Sequence, residues 1–160
     1  MTKTEEQISS RIGLRIIFVL YLFLVIKLLI FKYPMTELKE IIDTWERGII
    51  WEGLESANFN LFKTIKMYIN YAYKLNSFEN LVGNVAVFFP YGFLLPRISR
   101  WANNWLTTMG AAFFFSLGIE LFQLFSAFGA FDVDDLLLNV LGALIGYWIH
   151  LLVRCSYDNA

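Results

Sequence analysis

Residues 107–153 read TTMGAAFFFSLGIELFQLFSAFGAFDVDDLLLNVLGALIGYWIHLLV, two apolar runs joined by a short acidic connection. Thr107 to Phe128 is the first run and Leu136 to Val153 the second. Each is near the roughly 20 residues that a helix needs to cross a bilayer. Polar groups nevertheless sit within them. Glu120 and Gln123 lie in the first, Asn139 in the second, and Asp132, Asp134 and Asp135 stand at the entrance of the second. An ionisable group at membrane depth costs about 2.5–3.5 kcal/mol on insertion scales. Residues kept there either lock helices together or handle a polar ligand.

Helical periodicity sorts these groups. At about 100° per residue, positions offset by four, seven and eleven share a face. Asp135, Asn139, Gly142 and Gly146 have that spacing, and so do Ser116, Glu120, Gln123 and Ala127. The short connection makes the two helices antiparallel neighbours, which puts their polar ends together. Asn80 and Asn84, one turn apart upstream, add a third polar stripe near the same end. The three stripes are expected to face one outward-facing pocket. Asp132, Asp134 or Asp135 is also suited to cap the last helix, because a carboxylate meets free N–H groups and the positive dipole end there. Gly142 and Gly146 form a GxxxG pair, which serves packing within the chain or pairing with a second copy.

The rest of the chain fits the same class. It has 160 residues, of which 58% are hydrophobic, with 16 Phe. That exceeds the roughly 45–50% of soluble domains. The length suits one domain, residues 1–160. A net charge of −1 offers no field for nucleic acid. Cys155 is the only cysteine, so there is neither an internal disulfide nor a cysteine metal cluster.

Four spans are expected, at about 12–31, 79–95, 107–128 and 136–153. The first is too long for a signal h-region of about 7–15 residues and lacks a small-residue cleavage site, so it reads as an uncleaved helix. Pro90 makes the second kinked, tilted or partly re-entrant. The fold class is therefore all-α, a polytopic membrane four-helix bundle. The loop between the first two spans carries amphipathic helices. Leu38, Ile41, Ile42, Trp45 and Ile49 recur at helical spacing, as do Phe62, Ile65, Ile69, Ala72 and Tyr73. Lys63, Lys66, Asn70 and Lys74 take the opposite face of the second set. Such a helix lies in the membrane interface or packs on the bundle as a lid. Lys3, Arg11, Arg15, Arg97, Arg100 and Arg154 share one side, and the connection 129–135 has no Lys or Arg. The positive-inside rule then puts both termini in the cytoplasm.

Asn84-Val-Ala-Val-Phe88-Phe-Pro90-Tyr-Gly92-Phe-Leu-Leu resembles the N-x₃-F-x-P-[FY]-G-x-L-L segment of VanZ-like membrane proteins. Glu120-x-x-Gln123 resembles that family's E-x-x-Q helix, and Asp132-Val-Asp-Asp135-x₃-Asn139-x-x-Gly142 its D-x-x-D-x₃-N-x-x-G segment. Asn58-Phe-Asn-Leu61-Phe62 is similar to its N-L-x-P-F segment, with Leu61 in place of proline. Asp134 is not required by the pattern. The resemblance implies a bacterial integral membrane protein of a group named for low-level teicoplanin resistance, an antibiotic-resistance link through the cell envelope. It implies no settled reaction.

Asn84, Glu120, Gln123, Asp132, Asp135 and Asn139 are thus the candidate ligand-binding residues, and Pro90, Gly92, Gly142 and Gly146 the candidate packing residues. Three function classes follow. One is a binding protein for a lipid-linked cell-wall intermediate or a lipoglycopeptide, with membrane lipids around it. The second is an enzyme on an envelope lipid, using Glu120 or Asp135 as acid or base, although no catalytic nucleophile is apparent. The third is a scaffold for an envelope partner. No cofactor is implied beyond a divalent cation, for which Glu120, Asp132 and Asp135 are the available oxygen donors. The oligomeric state is open.

Overall fold

The computed structural model describes residues 3–30, 35–43, 49–71 and 77–158. Seven helices form among them: α1 Lys3–Leu29, α2 Met35–Asp43, α3 Ile49–Ser56, α4 Lys63–Asn70, α5 Ser77–Ile98, α6 Trp105–Ser126 and α7 Val133–Asp158. Residues 11–29, 80–98, 105–126 and 133–156 are long and apolar enough to cross a membrane. Exposed Ile16, Leu20, Phe23, Phe114 and Leu152 cover their outer faces. On a soluble domain such a surface would aggregate; here it is the lipid-facing side of a multi-pass membrane protein.

Helix ends depart from the sequence reading in informative ways. Asn104 caps α6 by accepting from the Thr107 N–H at 2.9 Å, so the helix begins two residues earlier than expected. Ala127 ends it in the left-handed region. Asp132 caps α7 through the Asp134 N–H at 2.8 Å, which draws Asp134 and Asp135 into the first turn. The second span is neither short nor broken. It runs through Pro90 and Pro96 as one helix, although these rings cannot donate to the carbonyls of Ala86 and Gly92. The amphipathic stretches are shorter than their periodicity suggested. Ile49 opens α3 rather than continuing α2, and Trp45 lies outside the described residues. Phe62 precedes α4 in the left-handed region, at φ 63°. Ala72, Tyr73 and Lys74 also lie outside the described residues.

Packing is decided by close approach. Apolar side chains gain little by leaving lipid, so contact quality and hydrogen bonds hold membrane helices together. The most extensive helix contact is α5 against α7, followed by α6 against α7. Gly92 abuts the Ala143 backbone, Gly142 that of Val85, and Gly146 that of Phe89. The GxxxG pair therefore faces α5 of the same chain. Phe88 is fully buried and makes ring contacts with Tyr91 and Phe115 at the centre of the bundle. Tyr21 of α1 donates to the Val87 carbonyl at 2.6 Å. Chain direction puts the starts of α5 and α7 and the ends of α1 and α6 at one end of the bundle. The segment carrying α3 and α4 lies at that end too, with α3 on α6 and α4 on α5 and α7.

Candidate functional site

Four spans meet in a cavity of about 340 Å³ at that end. Asn84, Glu120, Gln123, Asp135 and Asn139 line it, together with Leu28, Leu29, Asn80, Gly83, Val87 and Tyr68. The three polar stripes read from the sequence thus face one space.

Each polar side chain also ties two elements. Asn84 of α5 donates to Asp135 Oδ1 of α7 at 2.6 Å. Gln123 of α6 donates to the Leu29 carbonyl at 2.8 Å, which serves a carbonyl that the end of α1 leaves without a helical partner. Glu120, 3% exposed, accepts the Asp132 N–H at 2.8 Å and so fixes the connection between α6 and α7. Asn139, 1% exposed, donates to Ser116 Oγ at 2.8 Å. Its Oδ1 is buried and has no hydrogen-bond partner. A buried acceptor without a donor costs about 1–3 kcal/mol. This atom belongs to a residue that lines the cavity, where a ligand or water donor would relieve the deficit.

Asp132 is arranged differently. It does not line the cavity but binds the segment above it. Its Oδ1 accepts from Asn58 Nδ2 at 2.9 Å and its Oδ2 from Thr64 Oγ1 at 2.5 Å. Asn58 and Asp132 also form a short parallel bridge, with Asn58 N donating to Phe131 O and Val133 N to Asn58 O. Asp134, set aside in the sequence pattern, is fully buried and accepts three backbone N–H groups. They come from Phe62 at 2.6 Å, Thr64 at 2.8 Å and Ile65 at 3.1 Å. A carboxylate at the start of α7 therefore caps α4, 70 positions earlier in the chain. The left-handed Phe62 turns its own N–H toward that carboxylate.

So anchored, α4 becomes a roof. None of its residues is buried, and Met67 and Ile69 remain exposed. The helix thus packs as a lid on α5 and α7, with part of its apolar face left exposed. Tyr68 reaches the cavity. Its pKa is raised, first by burial and then by the Asp135 and Asp132 carboxylates, against a hydrogen bond from Asn80. The phenol accordingly stays a neutral donor. Tyr68 escaped the sequence reading because it belongs to neither the apolar nor the basic stripe of α4. The Asn58 segment was visible, but its attachment to Asp132 and Asp134 was not.

Among the described residues no three Asp, Glu, His or Cys side chains converge as a metal site. Glu120, Asp132 and Asp135 are accordingly not gathered into one donor set. No His or Cys lines the cavity; His150 and Cys155 sit toward the other end of α7. Among the described residues the wall is rich in acceptors, two carboxylates and four amides, with Tyr68 as its hydroxyl. That chemistry suits a ligand that brings donors: hydroxyls, amides or an ammonium group.

Residues 18–154 match a family model described as VanZ/LLP1. No curated protein and no solved structure matches the chain.

Proposed function

The chain belongs to the VanZ/LLP1 family, and from that premise we propose that it is a cell-envelope binding protein whose pocket receives the polar head of an amphiphilic ligand. The ligand class is a lipid-linked cell-wall intermediate or a lipoglycopeptide. The carrying observation is the buried Asn139 Oδ1 without a partner, on the wall of an acceptor-rich cavity at the end of a membrane bundle. At about 340 Å³ the cavity is at the lower end of ligand sites, which run from about 300 to 1,000 Å³. It takes a sugar-sized head and leaves the lipid chain to the bilayer. The basic face of α4, with exposed Lys63 and Lys66, adds attraction for an anionic portion of the ligand. Low-level teicoplanin resistance, on this reading, follows from engaging the lipid-bearing drug or the intermediate that it competes for.

Binding tests this directly. Full-length protein in nanodiscs is titrated with teicoplanin, and lipids retained on purification are identified by native mass spectrometry. The wild type is expected to bind one or the other. Asp135→Asn retains a carbonyl acceptor for Asn84, so unfolding should be unchanged while affinity falls by about tenfold or more, the size of one lost charge-assisted bond. Asn139→Leu should weaken binding as well. Absence of both ligands from the wild type, or equal affinity in Asp135→Asn, would sink the reading.

The proposed setting is the bacterial membrane with both termini cytoplasmic, so the pocket opens outward. In a Cys155→Ser background, Ala130→Cys should react with an impermeant maleimide in intact cells. Asn103→Cys should react only after permeabilisation. Both positions are exposed at opposite ends of α6. The reverse labelling pattern would invert the protein.

A further inference from the structure

The end of the bundle opposite the polar pocket holds a second cavity, of about 580 Å³, whose lining includes five arginines. Arg11 and Arg15 come from successive turns of α1, Arg97 from the last turn of α5, Arg100 from the connection to α6, and Arg154 from α7. Among the described residues no carboxylate lines this cavity. The positive-inside rule explains why basic residues gather at one end of a membrane protein. It does not explain why three helices aim them at one space. Arg11, Arg15, Arg97 and Arg100 around a shared cavity, where the low-dielectric core meets the headgroups, repel one another, and an anion between them would relieve that repulsion.

Arg97 is held for such a role. Its Nε donates to His150 Nδ1 at 3.2 Å, and its guanidinium lies 4.0 Å from the centre of the Phe93 ring. Those two contacts fix the plane of the group from behind and leave its terminal nitrogens for a ligand. Among the described residues the five basic groups of the lining are all arginine and none is lysine. The planar fork of arginine matches phosphate oxygens in pairs, whereas an ammonium acts as a point charge.

We propose that this cavity binds the phosphate headgroup of an anionic membrane lipid, favouring one with two phosphates. The charge count favours more than one phosphate. The position favours a lipid: Arg11 opens the first candidate span, Arg97 adjoins the end of the second, and Arg154 lies near the end of the fourth. The cavity is therefore level with the headgroups, on the cytoplasmic leaflet in the orientation proposed above. Basic pockets between spans on this side suit cardiolipin-type headgroups. This site is independent of the outer pocket and of the ligand assigned there.

Full-length protein reconstituted in phosphatidylcholine nanodiscs is compared with the same preparation containing cardiolipin or phosphatidylglycerol. Thermal unfolding and native mass spectrometry are the readouts. Cardiolipin is expected to raise the unfolding temperature most and to remain bound. Arg15→Gln with Arg97→Gln should lower its affinity about tenfold or more. Arg97→Lys keeps the charge and the solubility but loses the fork, and should lie between them. Inorganic pyrophosphate added to phosphatidylcholine nanodiscs should bind far more weakly than cardiolipin. Equal stabilisation by phosphatidylcholine alone, or arginine variants that retain cardiolipin like the wild type, would overturn the site. Pyrophosphate binding as tight as cardiolipin would overturn the lipid as its occupant.

Discussion

Asp134→Ala is expected to loosen the start of α4, residues 62–65, from α7 and to lower stability by roughly 3 kcal/mol. The carboxylate is fully buried and accepts the backbone N–H groups of Phe62, Thr64 and Ile65. Alanine leaves all three without that acceptor. A buried backbone donor left unpaired costs about 1–3 kcal/mol, and water at the rim reduces the sum here. Asn in this place keeps one acceptor oxygen and turns an NH₂ toward N–H donors, so Asp134→Asn should fall between. Asp132→Asn should be milder, since asparagine caps a helix about as well as aspartate. Thermal unfolding in detergent and limited proteolysis across residues 57–71 are the measurements. Unchanged protection and unchanged unfolding in Asp134→Ala would mean that the three contacts contribute nothing.

Gly146→Ala should be at least as damaging. A β-carbon there would lie 2.0 Å from the Phe89 carbonyl oxygen and 3.0 Å from the Phe93 nitrogen. At Gly92 it would lie 1.8 Å from the Ala143 oxygen, and at Gly142 2.2 Å from that of Val85. These neighbours are backbone atoms, so no rotamer change relieves the clash and α5 must move off α7. Overpacking ordinarily costs about 1–3 kcal/mol, and here the upper limit or more is expected. Gly110→Ala and Gly118→Ala provide the contrast. Nothing lies within 4 Å of either added carbon, and alanine in a helix is favoured over glycine by roughly 0.5–1 kcal/mol. A Gly146→Ala protein that unfolds like the wild type but no longer self-associates would overturn the intramolecular assignment.

Much of this architecture was legible in residue order. Apolar run length gave the four spans, and the 0, 4, 7, 11 spacing put Asp135 and Asn139 on one face with Gly142 and Gly146. That periodicity is local, so the sequence carries it directly. The contacts of Asp134 are not local. Nothing in Asp132-Val-Asp-Asp135 says which carboxylate will meet an N–H 70 positions earlier. Helix ends were shifted for a related reason. The cap at Asn104 depends on one side chain turning back to the chain, which hydropathy cannot register, whereas the cap at Asp132 was read from the carboxylates ahead of the last apolar run. Gln123 reads as a polar residue in a greasy helix, but its partner is a main-chain carbonyl at Leu29, and main-chain groups are the same at every position. The opposed arginine cavity was hidden in the same way. Its members were counted as a topology signal, while their convergence depends on how three helices pack.

The roof over the polar cavity also sets an order of events during synthesis. Asn58, Phe62, Thr64 and Ile65 are made early, but their partners Asp132 and Asp134 arrive 68 to 74 residues later, with the start of the final span. Until then the early segment lacks the acceptors that Asp132 and Asp134 supply. Closing so long a loop is slow relative to forming a local turn. The cavity therefore acquires its lid only when the last helical hairpin has been inserted. A ribosome stalled before residue 132 would leave a membrane-integrated chain without the α7 wall of the cavity or the anchors of its roof. Arrival of the last span is what closes the roof over the cavity.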